Sequence, residues 1–172
     1  KGYINGYPDG TFKPNNSITR AEFVTIFNKV FGLTQTSDKT FNDTLNHWAK
    51  NEIDIAVTNG VCQGTSDTTF EPNAPITREQ AAKMIANYKK ISDMHHNKIN
   101  GYNDGSQTAN WAINEVEAIL EAGYMNGYSD TNTFKPKNNI TRAEAVVTLG
   151  RVIANPNPVM PEPPVPTEPV TP

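Results

Sequence analysis

The chain has 172 residues, a net charge of −3, 36% hydrophobic residues and a mean hydropathy of −0.58. It is long enough to bury a core, yet no run approaches the roughly 18 apolar residues of a membrane span, and no signal peptide opens it. There is no Lys/Arg block and no basic patch interleaved with aromatics, which argues against nucleic acid and anionic membrane as partners, and the single cysteine, Cys62, excludes an internal disulfide.

Residues 1–33 open with a Gly/Pro-rich loop, Gly6-Tyr7-Pro8-Asp9-Gly10-Thr11-Phe12-Lys13-Pro14, followed by Ile18-Thr19-Arg20. Phe23, Ile26, Phe27, Val30 and Phe31 then recur at helical spacing, and Gly32 is the stop signal. Residues 34–91 begin with Phe41-Asn42-Asp43 and His47-Trp48-Ala49. Ile53, Ala56 and Val57 make one apolar helix stripe, ended by Asn59-Gly60. A second loop, from Gly64 to Pro72, leads to Ile76-Thr77-Arg78 and a helix with Ala81, Met84, Ile85 and Tyr88 on one face. Residues 92–154 start with a polar linker, Ser92 to Asn100, and repeat the order: Tyr102-Asn103-Asp104, Asn110-Trp111-Ala112, a helix with Val116, Ile119 and Leu120, and Gly123. The loop from Gly127 to Pro136 carries one extra residue before Phe134, and Ile140-Thr141-Arg142 opens a helix marked by Ala145, Leu149, Val152 and Ile153. In residues 155–172 a proline-rich tail follows, eight of the last seventeen residues being proline, and it reads as an extended, semi-rigid spacer. Cys62 falls where Ile4 and Met125 stand in the other copies, and so reads as a small buried hydrophobe.

The arginines of the three Ile-Thr-Arg motifs lie 58 and 64 positions apart, so a unit of about sixty residues is repeated. The first unit lacks its Trp helix: Lys1 to Gly6 aligns with Ala122 to Gly127, the end of that helix in the third copy. Any export signal is expected upstream, and a further segment beyond the tail. The truncated edge is expected to expose apolar surface, including some of Phe23, Phe27 and Phe31, to be covered by an upstream peptide or a second copy of the chain.

Thr19 with Glu22, Thr77 with Gln80 and Thr141 with Glu144 fit the capping box, and Ile18 with Phe23 fits a hydrophobic staple. The arginine has no such role, because a cation at a helix start opposes the helix dipole by roughly 0.3–1 kcal/mol. Each therefore calls for an anionic partner. One candidate is a carboxylate from a neighbouring unit; the other is an anionic ligand held by guanidinium and exposed N-terminal amides together. Trp48 and Trp111 are either core or a platform for the apolar face of a sugar. Asp43 and Asp104 could cap the Trp helices or accept from hydroxyls, and Asp9, Asp67 and Asp130 suit Asx-turns rather than a calcium loop. No catalytic motif appears. His47, His95 and His96 do not recur across the units, and His95-His96 has no metal-pair spacing, so no enzyme activity, cofactor or metal is expected.

The long motif Gly-Tyr-x-Asp-Gly-Thr-Phe-x-Pro-Asn-x-x-Ile-Thr-Arg-Ala-Glu, with the upstream Phe-x-Asp and His-Trp-Ala elements, resembles the S-layer homology domain over about residues 2–154. The resemblance implies an all-α, spindle-like, pseudo-threefold bundle of three helix-loop-helix units, the first without its N-terminal helix, plus the proline-rich tail. It implies a non-catalytic carbohydrate-binding module of the bacterial S-layer and cell surface. Such a module would anchor an exported protein to a secondary cell wall polysaccharide carrying an acidic pyruvate-ketal sugar, in grooves between units. It implies as ligand-binding residues the motif arginines Arg20, Arg78 and Arg142, the aromatics Trp48 and Trp111, the acids Asp43 and Asp104, and the glycines Gly6, Gly64 and Gly127, small enough for a sugar to approach the backbone. A lattice or self-association domain is the competing reading. The copies depart from one another in Glu79 beside Arg78, and in Glu71 where Lys13 and Lys135 stand. Both changes are expected to weaken anion binding around Arg78.

Overall fold

Each Ile-Thr-Arg motif starts a helix, and the three starts are tied to one another. The computed structural model describes residues 4–6 and 9–162. Regular structure among them is helical: α1 (Arg20–Phe31), α2 (Lys50–Thr58), α3 (Arg78–Lys89), α4 (Ile113–Glu121) and α5 (Arg142–Ala154), with short 3-10 turns at 42–44, 99–101 and 105–107. All three capping boxes form with both arms present, each worth about 1 kcal/mol. The glycine stops are real: Gly32, Gly60 and Gly123 have φ of 66°, 71° and 70°, the left-handed region that ends helices.

At the centre the three isoleucines close a ring of backbone hydrogen bonds. Ile18 N–H donates to the Ile140 carbonyl at 3.2 Å, Ile76 to Ile18 at 3.0 Å and Ile140 to Ile76 at 3.0 Å. All three side chains are fully buried. The ring extends outwards to the first two amides of each helix. Arg20 and Ala21 N–H donate to the carbonyls of Ala74 and Pro72, Arg78 and Glu79 to those of Asn138 and Pro136, and Arg142 and Ala143 to those of Asn16 and Pro14. With the capping threonine taking the third amide, the helix starts are satisfied by protein. The expected exposed N-terminal amides are therefore not available to a ligand. This cyclic order is the pseudo-threefold arrangement in which the units share one core.

Each Trp helix covers the preceding Ile-Thr-Arg helix: α2 packs on α1 and α4 on α3. None of the described helices covers α5 in the same way. The consequence falls on one stripe. Val24 of α1 and Ala82 of α3 are 0% exposed, whereas the equivalent Val146 of α5 is 36% exposed and Ile153, two turns on, 48%. The uncovered apolar face is thus on α5. Phe23 and Phe27 are fully buried and Phe31 is half-buried against Tyr88, at 4.8 Å between rings, so the expected phenylalanine edge is corrected.

Two further expectations change. The linker of residues 92–100 is anchored rather than passive, since Asp93 is buried and the Lys98 and Ile99 amides donate to Glu117. The tail begins by folding back: Tyr124 Oη donates to the Asn155 carbonyl at 2.6 Å, Lys89 Nζ to the Pro156 carbonyl, and Met160 packs on the core. An extended spacer beyond Glu162 falls outside the described residues.

Candidate glycan-binding grooves between the units

The motif arginines leave their own units. Arg20 Nε donates to the Phe70 carbonyl at 2.9 Å and Nη2 to Gln63 at 3.4 Å, both in the second loop. Arg78 does the same in the third loop, to Phe134 at 2.8 Å and Asn126 at 2.8 Å. Arg142 closes the cycle on the first loop, to Phe12 at 3.0 Å and Asn5 at 2.9 Å. Each guanidinium also lies over the ring of the same phenylalanine, at 4.5, 4.9 and 5.0 Å. These side chains are buried, so one job of the arginine is to hold the neighbouring loop through carbonyls and an aromatic face. Burial lowers the Arg20 pKa, while the charges of Glu71 and Asp43 act in the opposite sense.

The loops are held from a second side by the aspartates. Asp43 accepts from Phe70 N–H at 3.0 Å and Glu71 N–H at 2.7 Å, and Asp104 from Phe134 at 2.7 Å and Lys135 at 2.8 Å. In both, the two carboxylate oxygens meet backbone amides, which orients the loop. These aspartates do not cap the Trp helices, whose N-cap residues Ala49 and Ala112 make no side-chain cap bond; Ala49 N–H itself donates to His47 Nδ1 at 3.1 Å. The loop glycines also have a packing reason. A Cβ at Gly64 would stand 2.5 Å from the Phe41 ring, one at Gly127 2.2 Å from the Tyr102 ring, and one at Gly6 2.9 Å from the Thr11 carbonyl.

Three grooves follow from this order, and they are unequal. One, about 930 Å³, brings together Arg20 of the first unit, Cys62 and Gly64 of the second loop, Gln80 and Lys83 of α3, and Trp111 of the third unit. Cys62 is buried, as expected, and lies in the groove wall; burial pushes its thiol up to about 12, so it is an inert thiol there. Trp111 is 52% exposed and Trp48 64%, which overturns the core reading of both. Lys83 is neutralised by Glu115 at 2.8 Å. Arg20 Nη1 has no hydrogen-bond or ion-pair partner among the described residues, and the residue at the third position of α3 is the neutral Gln80.

The second groove, about 370 Å³, is lined by Arg78, Tyr128, Glu144, Val147 and Arg151. Here the third helix position is Glu144, and it takes Arg78 Nη1 at 3.0 Å. Tyr128 Oη also donates to Glu144. Burial pushes the Glu144 carboxyl up, but the bonds from Tyr128 and Thr141 and the Arg78 charge outweigh it and hold it below its usual range. Burial, together with that bond, raises the Tyr128 pKa. Among the described residues no tryptophan lines this groove, and no described helix covers α5 as α2 covers α1 and α4 covers α3. The same order assigns Trp48 to the groove of Arg142, part of whose loop, Tyr7 and Pro8, lies outside the described residues.

The expected muting of Arg78 by Glu71 and Glu79 is therefore reassigned. Glu71 sits beside Arg20, since the second loop receives the first unit's arginine. Glu79 is buried, pairs with Lys137 at 2.6 Å and accepts from Ala109 N–H at 3.0 Å. The acid on Arg78 is Glu144, which sequence reading had used only as a capping-box member.

Comparison of the sequence with known proteins places the chain in a family. The S-layer homology domain pattern matches residues 1–24, 40–82 and 101–146. The chain belongs to the S-layer homology domain family. It is 33% identical over 89% of its length to cell surface glycoprotein 1 of Acetivibrio thermocellus, covering 7% of that protein. It is 35% identical over 87% of its length to a cellulosome-anchoring protein of the same organism, covering 35% of it. To the surface-layer 125 kDa protein of Lysinibacillus sphaericus it is 32% identical over 90%, covering 13%. The chain thus spans at most about a third of these relatives. No helix among the described residues is long and apolar enough to cross a membrane.

Proposed function

We propose that this chain is a non-catalytic module of the bacterial cell surface that anchors a larger exported protein to a secondary cell wall polysaccharide. The groove of Arg20 and Trp111 is its principal site. The observation that carries this reading is the pairing, across three units, of an unpartnered guanidinium edge with an exposed indole in one groove. A sugar presents an apolar face to the indole, and a pyruvate ketal presents a carboxylate to the guanidinium. Cell-surface, surface-layer and anchoring relatives support the same setting. Arg20, Arg142, Trp48 and Trp111 are the proposed ligand contacts. Asp43, Asp104, Gly6, Gly64 and Gly127 act behind them by shaping the loops, and Arg78 contributes least.

Pull-down on purified wall sacculi before and after removal of the polysaccharide tests the proposal. Retention that disappears on stripped walls is expected. Equal retention on both would favour a lattice or self-association role instead.

A further inference from the structure

In the third unit the corner between residues 92–100 and α4 gathers three carboxylates. One oxygen each of Asp93, Glu117 and Glu121 lies within 4.8 Å of the others. Glu117 is fully buried and accepts the amides of Lys98 at 2.7 Å and Ile99 at 2.8 Å. Asp93 is 5% exposed; its Oδ1 accepts from His95 N–H at 2.9 Å and lies 2.6 Å from His95 Nδ1. Its Oδ2 is buried with no partner. The basic groups present are the His95 ring and Lys98 Nζ, the latter half-exposed, 3.3 Å from Glu121 Oε2 and shared with the Leu120 carbonyl. Neither reaches the Asp93 Oδ2 atom. A buried carboxylate oxygen without a partner is costly, and two more carboxylates beside it make it costlier.

The second unit shows the same corner without the problem. Counting from the tryptophans, Asp54 occupies the place of Glu117 and Thr58 the place of Glu121. Asp54 there is bonded by the amides of Ser37, Asp38 and Lys39 at 3.3, 3.0 and 3.1 Å and by Thr58 Oγ1 at 3.0 Å. The third unit replaces a hydroxyl donor with a carboxylate and adds Asp93. Donors were exchanged for acceptors at one point in the fold.

We propose that this corner binds a hard divalent cation of the calcium class, which ties residues 92–100 to α4. Opposed oxygens on one Ca²⁺ stand about 4.6–5.2 Å apart, from ligand distances of roughly 2.3–2.6 Å. The separation of the three carboxylates suits that ion. Glu117 and Asp93 keep unused lone pairs for it, each carboxylate having about four acceptor sites. The inference is independent of the glycan grooves.

The test uses the full chain, stripped with chelator and then titrated with CaCl₂ by calorimetry and thermal unfolding. Ca²⁺ is expected to raise Tm by several degrees, with a Kd of about 10⁻⁴–10⁻³ M, the class of extracellular modules. Glu121→Thr, which copies Thr58 and touches a half-buried residue, should weaken Ca²⁺ binding at least tenfold, and Asp93→Asn likewise. Asp54→Asn should leave the Ca²⁺ response unchanged. No shift at 10 mM Ca²⁺, or a shift of equal size in Glu121→Thr, would overturn the proposal.

Discussion

Arg78 and Glu144, from adjacent units, meet at 3.0 Å between Nη1 and Oε1, at a position where the groove of Arg20 is lined by the neutral Gln80. The difference is one residue at the third position of a helix. The Glu144 contact occupies one guanidinium edge of Arg78, and a carboxylate already in contact must be displaced before an anionic sugar can bind there. Arg20→Ala is therefore expected to lower affinity for a pyruvylated disaccharide at least tenfold, or about 1.4 kcal/mol. Arg78→Ala should change it less than about twofold. Calorimetry checks this, and equal losses at both arginines would refute the ranking.

Trp111 is half-exposed, so its truncation has little packing to lose. Trp111→Ala should change stability by no more than about 0.5 kcal/mol, as for surface sites away from special features. Binding to wall polysaccharide should nonetheless fall about tenfold, the loss of an aromatic platform. Thermal unfolding and sacculus retention measured on one preparation separate the two effects. A large loss of stability would return Trp111 to the core.

The uncovered stripe of α5 gives a second contrast. Val146→Lys should cost less than about 1 kcal/mol, because its side chain already meets solvent. Val24→Lys, at the equivalent position under α2, should cost about 3 kcal/mol or more, since it buries an unpaired charge. Denaturant unfolding of the two variants reads the difference. If both are equally damaging, α5 is covered in solution.

Asp54 sets an acid limit. Burial raises its pKa, but the Ser37 amide, the Thr58 hydroxyl and the amides of Lys39 and Asp38 outweigh that and hold it below the ordinary 3.8. A carboxyl whose folded pKa is depressed stabilises the fold above its unfolded pKa, and that contribution is lost as pH falls through the folded value. Asp54→Asn should thus lower stability at neutral pH and flatten its decline below about pH 4. Unfolding curves from pH 2 to 7 test the sign; parallel curves for both proteins would contradict it.

Much of the protein was legible locally. Thr19, Thr77 and Thr141 with their partners three residues on declare helix starts, because a capping box is made within four residues. Gly32, Gly60 and Gly123 declare the stops by the same short-range logic. The repeat and the family also follow from residue order alone. Contacts between units do not. Nothing along the chain says that Arg20 reaches Phe70 and Gln63, or that Glu71 neighbours Arg20 rather than Arg78. Those pairings arise because the Ile18, Ile76 and Ile140 backbones close a ring, which hands each arginine to the next unit's loop. Sequence alone determined the parts and their number. Only the tertiary structure decided which arginine is held by an acid, which groove has a tryptophan, and which helix face is bare, since each depends on segments distant in the chain arriving at one place.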